Sequence, residues 1–241
     1  MKDAIAISDL FVRYYARGKH VEALQGLSLT VPTGSVVGFL GPNGAGKTTA
    51  IHVLLGFIEP TSGSARVLGC DVGGRIARQR IGYLPEHPET YRFLTGRELL
   101  GMAGRLFLME RRLLRRRIDD LLAKLDLAHA ADRRIGTYSR GMMQRIGLAQ
   151  ALINDPELVI LDEPTGGLDP LGRMKVRSLI SDLRETGKTV FFSSHELSEV
   201  ELVCDHIVMI SNGKLVAEGK VLDLVQNGES LEKYFLRVMA E

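Results

Sequence analysis

The chain has 241 residues, with 31 Lys and Arg against 29 Asp and Glu, so its formal net charge is +2. Apolar residues make up 45% of the chain, the ordinary level for a globular protein that buries a full core. The near-neutral charge argues against a protein built mainly to coat nucleic acid. The absence of Trp and an aromatic content of 6% argue against base-stacking platforms.

The cysteines and the N-terminal segment set further limits. Cys70 and Cys204 lie far apart and form no CxxC pair, so we predict reduced structural thiols and no zinc site. The N-terminal segment lacks the apolar run of a signal peptide. No uninterrupted apolar stretch approaches the ~18 residues that a membrane span requires. We therefore expect any role at a membrane to depend on a partner.

The first half of the chain predicts short strands around a glycine loop, followed by helices. The predicted strands cover residues 4–14, 24–31, 36–40, 64–68 and 81–84. The predicted helices cover residues 47 to about 56, 111–125 and 142–153. A further helix is expected after Thr95, because Thr95 and Glu98 have the spacing of a capping box and apolar residues follow them.

The second half of the chain alternates strands and helices again. The predicted strands cover residues 158–161, 189–193, 207–210 and 214–217, and the predicted helices cover 171–185 and 196–203, with two more closing the chain. We expect Ser194 to cap the helix that begins at Glu196. Asn212 and Gly213 form a type I′ hairpin signal. The pattern indicates an α/β core interrupted by helices at about 88–152.

A glycine-rich loop carries the clearest chemical signal. Residues 41–48 match GxxxxGK[ST] at every fixed position, after a predicted strand and before a predicted helix. Glycines let successive backbone N–H groups point inward at phosphates, and the helix N-terminus adds positive potential. Lys47 supplies a charge for the β- and γ-phosphates, and the Thr48 hydroxyl can bind Mg²⁺. This loop alone is compatible with kinases, GTPases and many ATPases.

Two acidic residues narrow the choice. Asp162 and Glu163 end the apolar strand 158–161. At the strand tip, Asp162 can hold Mg²⁺ directly or through water. Glu163 lies just beyond it and can reach a water on the γ-phosphate, as a general base must. The pair therefore predicts a nucleotide-hydrolysing site.

With both motifs placed, the chain resembles an ATP-binding cassette (ABC) ATPase, the nucleotide-binding subunit of ABC transporters. Residues 41–48 resemble the Walker A loop and residues 158–163 resemble Walker B. Residues 167–170 match the D-loop, and His195 stands where the family has its switch histidine. Residues 138–145, Tyr-Ser-Arg-Gly-Met-Met-Gln-Arg, match the ABC signature, usually Leu-Ser-Gly-Gly-Gln. The resemblance covers essentially residues 1–228, and the signature separates this family from other P-loop proteins.

The resemblance implies a P-loop NTPase core with an antiparallel β subdomain and an inserted α-helical subdomain. The expected single ABC ATPase domain spans 1–241, with its core at 1–87 and 153–228, the helical subdomain at 88–152 and C-terminal helices at 220–241. ATP and Mg²⁺ are the expected cofactors. The implied nucleotide-binding residues are Tyr14, Gly41, Pro42, Asn43, Gly44, Ala45, Gly46, Lys47, Thr48 and Thr49. The implied metal-binding residues are Thr48, Glu86 and Asp162.

The resemblance also implies roles in catalysis and across a dimer. Glu163 and His195 are the expected catalytic residues, and Asp169 of the D-loop is expected to act across the dimer interface. The signature residues expected to contact the partner chain's ATP are Ser139, Arg140, Gly141 and Met142. Tyr14 is the residue expected to stack on adenine, with the adjacent Tyr15 as the alternative.

Departures from the family pattern in the signature and the Q-loop bear on the expected site. Arg140 stands where the signature has its first glycine, Met142 where it has glutamine, and Glu86 where the Q-loop has glutamine. Glu86 keeps an acceptor oxygen for Mg²⁺ or water but adds a charge. These departures are similar to those of prokaryotic export-type ABC subunits with separate membrane proteins.

An arginine-rich segment admits several interpretations. It contains Arg105, Arg111, Arg112, Arg115, Arg116 and Arg117. A solvated helix face, docking to a membrane subunit, docking to anionic headgroups and contact with RNA are all compatible with this composition.

We predict an ATP-hydrolysing subunit that powers a separate transmembrane permease from the cytoplasmic face of the membrane. We expect it to close on ATP as a homodimer or a pseudo-symmetric heterodimer. The alternatives are a soluble ABC ATPase acting on nucleic acid or ribosomes, and an unrelated P-loop kinase. The sequence gives the soluble ABC ATPase no support, because there is one cassette, no zinc-spaced cysteine set and no heptad arm. The signature motif opposes the kinase.

Overall fold

Two β-sheets organise the fold. The computed structural model describes residues 3–16, 18–225 and 229–240. The strands are β1 (Asp3–Ala16), β2 (Lys19–Pro32), β3 (Val36–Leu40), β4 (Ser62–Val67), β5 (Cys70–Asp71), β6 (Ile81–Leu84), β7 (Leu158–Asp162), β8 (Thr189–Ser194), β9 (His206–Ser211) and β10 (Lys214–Lys220). An antiparallel sheet has the order β2-β1-β4-β5, and a larger sheet has the order β10-β9-β3-β8-β7-β6. The α/β fold class is therefore confirmed.

The α-helices lie between the strands and after the last strand. They are α1 (Lys47–Leu54), α2 (Arg75–Gln79), α3 (Gly96–Leu106), α4 (Arg111–Lys124), α5 (Arg140–Ala151), α6 (Pro170–Glu185), α7 (Leu197–Val203), α8 (Val221–Leu224) and α9 (Leu231–Ala240). Among the described residues, no helix has the length and apolar character needed to cross a membrane. The ends of the predicted core and C-terminal segments at residues 1–2, 226–228 and 241 lie outside the described residues.

The central strands β3, β7 and β8 of the larger sheet are buried on both faces, which explains their continuous apolar sequences. Within β3, Val37 and Phe39 pack toward the antiparallel sheet and α1, whereas Val36 and Leu40 join the cluster on the helical side. The strands β6, β7, β8 and β3 run parallel to one another. Their register pairs Leu40 with Ser194. The carboxyl ends of these strands therefore meet at one edge of the sheet.

The helices between β6 and β7 share their apolar core with that sheet. Leu100 of α3, Ile118 of α4 and Ile146 of α5 belong to the same cluster as Leu161 of β7. The capping box at the start of α3 is confirmed, because Thr95 Oγ1 accepts from the Glu98 N–H at 3.1 Å and Glu98 Oε2 accepts from the Thr95 N–H at 2.8 Å.

Several local predictions are confirmed and several are wrong. The hairpin turn is confirmed, since Asn212 and Gly213 have φ values of 50° and 75°. Ser194 does not cap α7: it lies before the N-cap residue Glu196, whose N–H it accepts at 3.0 Å. Helix α5 begins at Arg140, two residues earlier than predicted, because Ser139 is its N-cap residue. The sequence pattern also missed β5 and α2, whose short lengths leave no readable period.

Two glycines of α3 give a test of this packing. A Cβ at Gly104 would lie 2.1 Å from Leu114 Cδ1 of α4, whereas a Cβ at Gly101 meets nothing closer than Ile118 Cδ1 at 3.9 Å. We expect Gly101→Ala to stabilise the protein by up to ~1 kcal/mol through helix propensity. Gly104→Ala should destabilise it by about 1 kcal/mol, because overpacking outweighs the same propensity gain. Urea unfolding measures both, and equal free energies of unfolding for the two variants would contradict the packing.

Candidate functional site

The candidate site lies at the edge of the larger sheet where four parallel strands end. The glycine loop follows β3, Glu86 follows β6, Glu163 follows β7 and His195 follows β8. In open α/β sheets this edge is where ligands bind. The strand order β3-β8-β7-β6 brings together segments that are far apart in the sequence.

The glycine loop has the predicted strand–loop–helix context, with β3 before it and α1 after it. A Cβ at Gly41 would lie 2.4 Å from the carbonyl oxygen of Ile210, and a Cβ at Gly46 would lie 2.6 Å from that of Ala23. Gly46 also has a φ of 106°, which side-chain-bearing residues rarely adopt. Gly41 therefore requires glycine for space, and Gly46 requires it for both space and conformation.

Lys47 folds back over the loop. Its Nζ donates to the carbonyl oxygen of Gly41 at 2.7 Å and lies 3.3 Å from that of Pro42. The residue is 7% exposed. Burial lowers the pKa of its ammonium group, and this effect outweighs the opposite effect of the nearby carboxylates of Glu163, Asp162 and Glu86. The cation is thus held at the mouth of the loop by carbonyl oxygens and surrounded by acids.

Asp162 connects the loop to two strands. Thr48 Oγ1 donates to Asp162 Oδ2 at 3.0 Å, and Ser193 Oγ donates to Asp162 Oδ1 at 2.5 Å. Ser193 Oγ also accepts the backbone N–H of Glu163 at 2.9 Å. Because Asp162 is 2% exposed and Ser193 is fully buried, the two bonds of Ser193 are shielded from water. Sequence reasoning missed Ser193, since it becomes a neighbour of Asp162 only through sheet pairing.

Glu163 and His195 form a pair at the site. His195 Nδ1 lies 2.8 Å from Glu163 Oε2, and the two side chains are 57% and 10% exposed. Glu163 has a φ of 50°, in the left-handed region that costs a non-glycine residue free energy. Residues in such conformations cluster at functional sites. The glutamate is therefore held in a strained backbone position with its carboxylate beside an exposed imidazole.

A cavity of about 440 Å³ contains most of the predicted nucleotide residues. All of them except Gly41 and Pro42 line it, together with Glu86, Asp162, Glu163 and His195. The structure places Tyr14 on this cavity, with its hydroxyl 3.4 Å from Thr49 Oγ1. Tyr15 is not in the lining, and its ring contacts His20. Residues 21–23 of β2 also line the cavity, and sequence reasoning missed them.

The signature residues lie elsewhere. Ser139 is the N-cap residue of α5 and accepts the Met142 N–H at 3.3 Å, and Met142 is 9% exposed. Ser139, Arg140 and Gly141 line a second cavity of about 370 Å³ together with Asp169. The two cavities share no lining residue. A single chain therefore does not bring the signature and the glycine loop into one cavity.

Contacts within the second cavity join the signature to the D-loop. The Arg140 guanidinium packs so closely over Gly167 that a Cβ there would lie 2.3 Å from Arg140 Nε. Asp169 Oδ1 accepts the Gly172 N–H at 2.8 Å and so caps α6. Gln144, which is 4% exposed, donates to the carbonyl oxygen of Pro164 at 3.1 Å. Helix α5 is thereby tied to the turn that follows Glu163.

The strand–loop–helix unit with acids at the next strand tips defines a P-loop nucleotide-binding protein. Residues 24–166 match the ABC transporter family. An ABC transporter ATP-binding protein of Nostoc sp. (all4389) is 48% identical over 92% of this chain and 70% of its own length. The Nod factor export ATP-binding protein I of Rhizobium sp. is 42% identical over 84% of this chain and 67% of its own length.

A solved ATP-binding subunit of an ABC transporter has a TM-score of 0.89 and 29% identity, covering 98% of this chain and 99% of that one. The chain therefore belongs to the ABC transporter ATP-binding family, as the sequence motifs indicated. The same structural likeness confirms the P-loop NTPase fold.

Ser193 gives a test of the hydrogen bonds around Asp162. Ser193→Ala leaves the Glu163 N–H without its buried acceptor, so we expect unfolding to become easier by about 1–3 kcal/mol. ATP turnover should fall as well, because Asp162 loses one of its two positioning donors. Ser194→Ala is the matched control, since Ser194 is equally buried but bonds only within the turn before α7. Turnover lowered equally by both variants would contradict a special role for Ser193.

Proposed function

We propose that the chain is the ATP-hydrolysing subunit that powers a separate transmembrane permease. The observation that carries this proposal is the Glu163–His195 pair, which lines the same cavity as the glycine loop. A carboxylate in that place can accept a proton from a water next to the terminal phosphate. The remaining assignments follow the chemistry of the lining residues.

The loop and α1 would bind the phosphates of ATP. Backbone N–H groups of the loop and the N-terminus of α1 favour anions, and the Lys47 ammonium neutralises part of the phosphate charge. Tyr14 would stack on adenine, since its ring lines the cavity beside Thr49. Residues 21–23 would contact the base or the ribose from β2.

The donor set at the strand tips fits Mg²⁺. The ion prefers oxygen ligands and is usually held by one or two carboxylates, a hydroxyl and the substrate phosphates. Thr48 Oγ1 and Asp162 Oδ2 are adjacent, and Glu86 adds a third oxygen-bearing side chain on the same cavity. When bound, Mg²⁺ would neutralise charge that develops on the phosphates.

In the hydrolytic step, Glu163 would accept a proton from the attacking water. The water oxygen then bonds to the γ-phosphorus while the bond to the β–γ bridging oxygen breaks, which releases ADP and phosphate. His195 would orient the carboxylate and contact the γ-phosphate from the exposed side of the cavity. Lys47 would contact the phosphates from the mouth of the loop, where the carbonyl oxygen of Gly41 positions its ammonium group.

Two chains would complete each site. The separation of the two cavities leaves the signature free to face the ATP of a second copy in a head-to-tail dimer, homodimeric or pseudo-symmetric. Ser139, Arg140 and Gly141 would offer a hydroxyl, a guanidinium and a helix N-terminus to the γ-phosphate. Met142 would contribute only packing, and Asp169 would act across the interface from the N-terminus of α6.

The membrane subunit would dock near Glu86. Tyr91 and Phe93 follow Glu86 in the chain, are 57% and 69% exposed, and hold their rings 5.7 Å apart. An exposed aromatic pair is typical of a protein interface. The name of the relative from Rhizobium sp., a Nod factor export ATP-binding protein, supports an export role, which we place on the inner face of the membrane. The division into a core, a helical subdomain at 88–152 and C-terminal helices would let this docking region respond to ATP.

Substitution of Glu163 tests the hydrolytic assignment. Glu163→Gln preserves the size of the side chain but removes its ability to accept a proton, so ATP turnover should fall by ~10²–10⁴-fold. ATP affinity should persist in Glu163→Gln. Lys47→Ala is the contrasting variant, in which nucleotide binding itself should weaken. Near-native turnover by Glu163→Gln in a phosphate-release assay would exclude Glu163 as the base.

The dimer is tested by size-exclusion chromatography of Glu163→Gln with and without Mg²⁺–ATP. We expect dimers only with nucleotide, and Ser139→Arg in that background should block them while ATP remains bound to the monomer. Ser230→Arg is the matched control, because Ser139 and Ser230 each accept a backbone N–H in the first turn of a helix. Unchanged dimerisation of the Ser139→Arg protein would mean that the signature does not close the site.

A further inference from the structure

We propose that the exposed surface at the α3–α4 turn binds the anionic headgroups of a phospholipid membrane. We call it the basic surface, and its residues are Arg105, Leu106, Leu108, Arg111, Arg112, Leu113, Arg115 and Arg116. This binding is independent of the ATP site and adds to the proposed transport function a direct contact between this chain and lipid.

The charge of the basic surface is unbalanced. Its five arginines form no ion pair with any other described residue, whereas Arg97 of α3 and Arg117 of α4 pair with Asp119 and Asp155. Between residues 105 and 116 the sole acidic residue is Glu110. Its carboxylate caps α4 by accepting the N–H groups of Arg112 and Leu113 at 2.8 and 2.9 Å. The surface thus presents a concentrated positive charge to solvent.

Helix stability does not account for this arrangement. Acidic residues are favoured at a helix N-terminus, where α4 has the N-cap residue Glu110, but its first turn begins with two arginines and contains no acid. The pairs Arg111–Arg115 and Arg112–Arg116 place like charges one turn apart, which disfavours the helix, although Asp119 and Asp120 stand one turn after Arg115 and Arg116. An anionic ligand would relieve both effects, so the charge pattern itself indicates the chemistry of the partner.

Three exposed leucines distinguish a lipid surface from other anions. Leu106, Leu108 and Leu113 are 78%, 81% and 56% exposed. The neighbouring Phe107 and Met109 instead pack against the core, so the turn directs alternate apolar residues outward and inward. Leu108 has a φ of 58°, a conformation that favours glycine or asparagine over leucine. Turn geometry therefore gives no reason for leucine at this position.

Basic and apolar side chains on one exposed face are the combination that binds at a membrane interface. The arginines would contact headgroup phosphates while the leucines enter the boundary with the acyl chains. RNA would use the arginines but would leave the leucines in water, and the surface offers no exposed aromatic side chain for base stacking. The geometry therefore favours lipid.

Vesicle co-flotation of the full chain without nucleotide tests the proposal. The chain should float with vesicles that contain phosphatidylglycerol, should not float with phosphatidylcholine alone, and should be released as the NaCl concentration rises. A basic residue near an anionic membrane contributes about fivefold to binding. The triple variant Arg112→Glu/Arg115→Glu/Arg116→Glu should therefore bind at least ~10-fold more weakly.

The matched control carries the same charge change elsewhere on the surface. Arg75→Glu/Lys214→Glu/Lys233→Glu alters three exposed residues outside the basic surface and should keep most of the binding. Leu106→Ser/Leu108→Ser should weaken binding several-fold without removing its salt dependence. Thermal unfolding and ATP turnover of each variant establish that it is folded.

Four results would overturn the proposal. They are equal flotation with both kinds of vesicle, equal losses in the arginine and control triple variants, full binding by the leucine double variant, and arginine-dependent binding to RNA in a filter assay without flotation. Because flotation is measured without ATP, failure here is distinguishable from failure of the ATPase assignment, which the turnover of Glu163→Gln decides separately.

Discussion

The buried carboxylate of Asp162 is the group on which the geometry of the candidate site depends. It accepts hydrogen bonds from Thr48 of α1 and Ser193 of β8, and Ser193 in turn fixes the backbone N–H of Glu163. These bonds connect the helix after β3 to the tips of β7 and β8. A shift of one residue in the register of β7 would turn Asp162 to the other face of the sheet. The parallel register therefore sets where the loop, the glutamate and the histidine meet.

The signature and the P-loop line different cavities of one chain, which is the basis for proposing that two chains complete each site. The P-loop cavity holds a lysine, a glutamate and a histidine, but the helix N-terminus of α5 faces a different cavity. Within one chain, the Arg140 guanidinium packs over Gly167. Gln144 donates a hydrogen bond to the carbonyl oxygen of Pro164, in the turn after Glu163. The two cavities therefore lie at opposite ends of the segment 163–167, because Glu163 lines the first cavity and Gly167 lines the second.

Besides the buried hydrogen bond from Gln144 to Pro164, two kinds of contact connect the helices between β6 and β7 to the remaining structure. One is an apolar cluster that is continuous with the face of the larger sheet. The other consists of exposed ion pairs to α6, with Lys124 Nζ 2.9 Å from Asp182 Oδ2 and Lys175 Nζ 2.8 Å from Asp126 Oδ2. Exposed ion pairs contribute about 1 kcal/mol or less, so rearranging them costs little compared with opening the apolar cluster. We therefore expect these helices, when they move, to slide over the apolar cluster rather than to separate from it.

Local sequence patterns predicted the family and most of the local structure. The spacing of Gly41, Gly46, Lys47 and Thr48 predicted the strand–loop–helix unit, because glycine and helix N-termini impose local geometry that a short pattern records. Apolar runs predicted the buried strands, and the capping box predicted the start of α3. The sequence pattern does not reveal the short elements β5 and α2. It also wrongly predicts Ser194 as the cap of α7, because the bond between Ser194 and Glu196 belongs to a turn before the helix. Which segments meet in space could be read from the folded chain alone. Ser193 and residues 21–23 join the site through strand pairing and sheet packing, and the signature stays apart from the P-loop, since contacts between distant segments follow from topology and leave no local pattern.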